Sequence, residues 1–211
     1  VPSNIWVGIG RMKSEEVFFP LEPLYKRKGI GYKQAKVISF HPEGDATETK
    51  GFVTIEYIFG KNAGVQEKVN YDYLINATGP KLAFELTEGL NPGTNKAYSV
   101  CTYEHAAHAS EALLKLIGDI KTSDKKAKIL IGTGHAKATC QGAAFEYILN
   151  VEKELVRYGV RDKIELTWIS NENELGDFGM DGMLLTYGNQ TLKSSELVEM
   201  VFADHGIKWI L

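Results

Sequence analysis

Cysteine is scarce: the 211 residues hold two, Cys101 and Cys140. Two thiols cannot build the bridged framework of a small secreted domain. They also lack the tight C-x2-C spacing of a structural zinc motif, so a zinc site drawn from Cys101, His105, His135 and Cys140 is rejected. Long hydrophobic runs are missing as well. No stretch approaches about 18 consecutive apolar residues, so no spanning helix is expected, and no segment reads as a secretory signal. Excess positive charge is lacking too. A formal net charge of -3, without a basic stripe interleaved with aromatics, argues against a dedicated nucleic-acid binder. Calcium is excluded, because Asp177 and Asp181 in the glycine-rich segment 176–189 do not match the D-x-[DN]-x-[DN]-G spacing. What is left, 44% hydrophobic and 24% charged, is the composition of a globular chain long enough for one large core or two modest ones.

The ends of the sequence add an expectation. It opens at Val1 on a stretch that reads as irregular and stops at Lys208-Trp209-Ile210-Leu211, the start of an apparent strand. A piece of a longer protein is therefore expected.

Periodicity supplies the elements between. A short helix is expected over Pro20 to Lys28, closed by Gly29. Strand-like runs at about 31–40, 51–59 and 67–77, joined by polar and glycine-containing loops, read as an antiparallel meander. The third run ends in Leu74-Ile75-Asn76-Ala77-Thr78-Gly79-Pro80, where small side chains let a ligand or another backbone come close. After a linker at 86–98, Thr102 caps a helix reaching Lys121, with Ala106, Ala109, Leu113, Leu116 and Ile117 on one face. The charged connector from Lys121 to Lys128 suggests a boundary between 1–124 and 125–211. Strand 128–132, helix 141–158, strand 163–170, helix 194–205 and the terminal strand then imply a parallel sheet. The fold class is α/β.

The most informative stretch is "KILIGTGHAKATCQG", Lys128 to Gly142. It begins like a dinucleotide-binding turn, but Lys137 stands where G-x-G-x-x-G has its third, close-packing glycine. Three residues on comes Cys140. Cys101 also stands just ahead of a helix. Unpaired N–H groups and the positive end of a helix favour an anion, so both positions suit a nucleophilic thiolate. The plainer reading, two buried inert thiols, stays open. His105, one turn beyond Cys101, is a candidate proton carrier or hydrogen-bond donor, or else a solvated first-turn residue. His108 reads as surface, and His41, His135 and His205 carry no assigned role. Glu146 is a weaker candidate acceptor, better read as a carboxylate reaching solvent.

Taken in order, "VPSNIWVGIG", "YDYLINATGPKLAFE" (71–85), "SVCTYEHA" (99–106) and "TCQGAAFEY" followed by "GVRDK" (159–163) resemble sulfide:quinone oxidoreductases. These are flavoproteins with two dinucleotide-binding domains. The resemblance implies two partial Rossmann-like domains, with the meander inserted in the first, and FAD as cofactor. It places FAD contacts at Val1, Pro2, Lys36, Val37, Ala77, Thr78, Gly79 and Cys101. It makes Cys140 the redox cysteine, bridged in the family to a third cysteine that these 211 residues do not contain. Cys101 becomes the cysteine beside the flavin, and His105 its neighbouring histidine. Sulfide would attack the bridge, and two electrons would pass through FAD to a membrane quinone. The amphipathic membrane attachment would lie in a later region, so the expected location is cytoplasmic or peripheral to a membrane, with homo-oligomerisation left open. The family's loop histidine is Asp177 here, and its role is not carried over. Rival readings are an NADH:quinone dehydrogenase, a flavocytochrome-type sulfide dehydrogenase, and a non-catalytic nucleotide-binding module.

Overall fold

The computed structural model describes residues 2–94, 97–133 and 140–211. In chain order its regular elements are α1 (Asn4–Gly8), α2 (Leu21–Arg27), β1 (Ala35–His41), β2 (Phe52–Tyr57), β3 (Gln66–Asn70), α3 (Tyr103–Lys121), β4 (Ala127–Gly132), α4 (Gln141–Arg157), β5 (Ile164–Ile169), β6 (Leu184–Tyr187), β7 (Gln190–Lys193), α5 (Ser194–Asp204) and β8 (Lys208–Ile210). They form two compact units, residues 19–82 and residues 1–18 with 83–211.

The smaller unit holds α2 and an antiparallel sheet in the order β1-β2-β3. Phe52, Val53 and Ile55 of the central strand are buried. The sequence suggested a third strand continuing to residue 77, but β3 ends at Asn70, paired with Phe52. The last rung is Tyr71 N–H donating to the Gly51 carbonyl. Beyond it β2 offers no further partner, and a strand without a partner cannot satisfy its backbone. Composition alone had made 71–77 look extended.

The larger unit is built on a parallel sheet in the order β4-β5-β8. Ile164, Leu166 and Trp168 of β5 are buried together with Ile148, Val151 and Leu155 of α4 and Val198 and Phe202 of α5. The 3.6-residue repeat puts these helix positions on one face. Ala106, Ala109, Leu113 and Ile117 bury the expected face of α3, while Leu116 is only partly covered. Segment 176–189 is not all loop, since β6 lies within it and pairs with β7 across a two-residue turn, Gly188-Asn189. Gly188 has φ +60°, a conformation such hairpin turns need. In the opening stretch Pro2 and Ser3 form a turn, as expected, but Asn4 already begins α1, which buries Ile5 and Val7, and Ile9 follows.

On the other face of the sheet, Glu165 of β5 lies between Lys208 of β8 and Lys128 of β4. The hydrogen bond from Lys208, then that from Lys128, holds its carboxyl below the ordinary value of 4.5. A carboxyl depressed in the folded state stabilises the fold above its unfolded pKa and loses that contribution as pH falls through the folded value. Melting temperature should therefore fall less steeply below pH 4.5 in Glu165→Gln than in the parent, with the difference shrinking in high salt. Scanning calorimetry at stepped acid pH measures this.

Candidate functional site

Cys101 and Cys140 are both exposed, and neither is in a disulfide. Burial as inert thiols is thus not how this fold uses them. Cys101 stands two residues ahead of α3, because Thr102 takes the cap: its Oγ1 accepts from the His105 N–H at 3.2 Å. His105 is half-buried, with Phe84 edge-on at 5.5 Å. Its Nδ1 is shielded from solvent and has no hydrogen-bond partner. An orphaned ring nitrogen on the first turn of a helix, four residues after an exposed thiol, is a place where a bound group would supply the missing partner.

Cys140 occupies the cap position of α4, with no side-chain cap hydrogen bond of its own. Strand and helix are held in place on both sides. On the strand side, Gly132 pairs with Ile169, and Thr133 N–H donates to the Ile169 carbonyl at 3.0 Å. On the helix side, the loop after β5 packs on the first turns of α4. Phe178 lies edge-on to Phe145 at 5.4 Å, and a Cβ on Gly179 would sit 3.6 Å from Gln141 Oε1. That loop is shaped by Glu172, buried, whose carboxylate accepts from Ser170 Oγ and Phe178 N–H. Phe178 and Asp181 adopt φ +54° and +55°, unusual for side-chain-bearing residues and stored where chain geometry is fixed by neighbours. Asp177 accepts from the Met180 and Asp181 N–H groups, so it staples its own loop.

Gly134, His135 and Lys137, on which the altered-turn reading rests, lie outside the described residues, as does Val1. Pro2 is exposed, two residues ahead of buried Asn4 at the start of α1. Lys36 is exposed and Val37 half-buried on edge strand β1 of the smaller unit. Ala77, Thr78 and Gly79 are all exposed, with Asn76 Oδ1 accepting from the Thr78 N–H and hydroxyl. Gly79 has φ +71° and nothing within 4 Å of where a Cβ would lie, so its backbone is open to an incoming group. Glu146 is exposed, as the solvent reading required.

Several structural residues escaped the sequence reading. His205, assigned no role, pairs through Nδ1 with Glu152 at 3.0 Å. Glu154 is bound by Arg11 and Arg157. Both carboxylates are buried on α4, where periodicity predicts apolar residues. Asn4, also buried, donates its amide to the Cys101 carbonyl at 3.2 Å. Among the described residues no group of three or more His, Cys, Asp or Glu is placed to hold a metal, and no helix is long and apolar enough to cross a membrane.

No family model matches the chain. It is 31% identical over 209 residues to the sulfide-quinone reductase of Aquifex aeolicus (strain VF5), covering 99% of this chain and 41% of that protein. The X-ray structure of the sulfide:quinone oxidoreductase from the hyperthermophilic bacterium Aquifex aeolicus superposes with a TM-score of 0.71 at 31% identity, again over 99% of this chain and 41% of the other. The chain thus spans 41% of the length of the relative it matches.

Proposed function

Because the chain is a relative of sulfide:quinone oxidoreductases along nearly its whole length, we propose that it is part of an enzyme that oxidises sulfide and reduces a quinone. The observation that carries the reading is Cys140, an exposed thiol at the cap of the seventeen-residue helix that is the next element after parallel strand β4. We assign 1–124 to the FAD domain with its inserted meander and 125–211 to the second Rossmann-like domain.

Each unit, taken by itself, has one feature compatible with a bound flavin: the orphaned His105 Nδ1 in the larger unit, and the open backbone at Gly79 in the smaller. In the smaller unit Lys36, Val37, Ala77, Thr78 and Gly79 would contact FAD. In the larger unit Pro2 and Cys101 would do so, and Val1 is assigned the same role. Bound FAD would supply a two-electron acceptor able to pass electrons on to quinone.

Cys140 would enter the reaction bridged to a cysteine elsewhere in the intact protein. Hydrosulfide attacks one bridge sulfur, the S–S bond breaks, one cysteine becomes a persulfide and the other leaves as thiolate. Cys140 stands at the N-terminus of α4 with its side chain exposed, open to an incoming hydrosulfide. His105 would hold or move a proton during the reaction. Sulfur leaves the enzyme as polysulfide or elemental sulfur.

The assay is anaerobic turnover by the intact protein with a soluble short-chain quinone. Sulfide should support quinone reduction and NADH should not. Turnover with NADH and none with sulfide would favour the dehydrogenase reading, and no turnover with either would favour a non-catalytic module.

A further inference from the structure

Both main-chain polar groups of Cys101 are held by side chains. Its N–H donates to Ser99 Oγ at 3.1 Å, and its carbonyl accepts from Asn4 Nδ2 at 3.2 Å. Asn4 is 97 residues away in sequence and 3% exposed. Its helix, α1, is anchored in turn to α4. The Gly8 carbonyl accepts from Tyr147 Oη at 3.1 Å, and burial pushes that phenol's pKa up, keeping it an O–H donor. Gly8 has no room for a side chain: a Cβ would lie 2.8 Å from Val100 Cγ1 and 3.0 Å from Tyr147 Cε2. One short helix therefore grips residues 100–101 ahead of α3 and also the second turn of α4, which begins just after Cys140.

We infer that Asn4 is a positioning residue for Cys101, and that α1 is the brace tying the placement of this thiol to helix α4. The inference rests on the proposed role of Cys101 beside the flavin. The physical reason is local. The amide hydrogen bond fixes the peptide plane leaving Cys101, and with it the direction of the Cα–Cβ bond and the approach to the Thr102 cap. A buried amide that lost this partner would be left unsatisfied, so the pairing is favoured from both sides. Asp at position 4 has the same shape but, when ionised, no N–H, and sets oxygen against oxygen.

The test uses the intact protein, its proposed cysteine bridge first reduced and the reductant removed, and iodoacetamide, with Cys101 and Cys140 alkylation followed separately by peptide mass spectrometry from about pH 6 to 9. Asn4→Asp should change the Cys101 rate at least about fivefold, the size of one lost neutral hydrogen bond, and displace its pH profile. Cys140 in the same molecules should stay within about twofold, well inside that margin. Ser99→Ala, which removes the other tether from a half-buried loop position, should act on Cys101 in the same selective way and carries the test if the Asn4 variant does not fold. An unchanged Cys101 rate in a folded variant, or parallel changes at both thiols, would overturn the inference. Selective change at Cys101 in a protein whose flavin ignores sulfide would instead sink the functional reading and leave the brace standing.

Discussion

Cys140→Ser in the intact protein should slow sulfide-dependent quinone reduction by about a thousandfold or more, the scale on which losing a covalent nucleophile is felt. A serine oxygen cannot form or break the sulfur–sulfur bond through which the proposed reaction runs. The substitution is also unusually clean. Position 140 caps α4, where serine is among the preferred residues, and the thiol makes no cap hydrogen bond that serine would forfeit. Stability should be equal to or slightly higher than that of the parent with its proposed bridge reduced, so a lost rate cannot be assigned to a lost fold. Steady-state quinone reduction beside a thermal melt separates the two.

Gly132→Ala should destabilise the protein by about 3 kcal/mol or more, beyond most single substitutions. The added Cβ would sit 1.7 Å from the Ile169 carbonyl oxygen and 2.7 Å from its carbon. Both are backbone atoms of the neighbouring strand, so no side chain can swing aside. Relief requires β4 and β5 to part where β4 runs out toward Cys140 and where Thr133 N–H bonds the same carbonyl. Gly118→Ala is the control. Gly118 is an exposed position inside α3 with nothing within 4 Å of the new Cβ, and alanine there should add about 0.5–1 kcal/mol. Denaturant midpoints of the two variants should move in opposite directions.

The parts of this molecule that repeat were readable from its residues. Helices α3 and α4 show their buried faces as apolar spacing over several turns, and the β4–α4–β5 succession implied the parallel sheet that forms. Short pieces were harder. Five-residue α1 offers little over one turn, too little for a period to register, and its burial is imposed by α3 and α4. The β6–β7 hairpin had a signal in Gly188-Asn189, a two-residue hairpin turn, but the surrounding glycines masked it. Residues 71–77 show the opposite failure: strand-like composition without a strand to pair with.

The candidate site divides in the same way. Both thiols and His105 were legible as candidates because their residue types carry chemistry at helix starts. Asn4 was not, since a buried amide near the start of the sequence has no local pattern linking it to a cysteine 97 residues on. Glu152 and Glu154 were missed for a related reason. Their partners Arg11, Arg161 and His205 come from other elements, and only tertiary structure brings them together.

The central claim is that electrons from sulfide enter a bound flavin by way of the thiol that caps α4. The visible spectrum of the intact, purified protein, recorded without oxygen or quinone before and after sulfide is added, tests it most directly. The account predicts flavin bands that bleach on sulfide addition, return with quinone, and remain when Cys140 is serine. A protein without flavin bands, or bands that bleach equally fast in the serine variant, would contradict it.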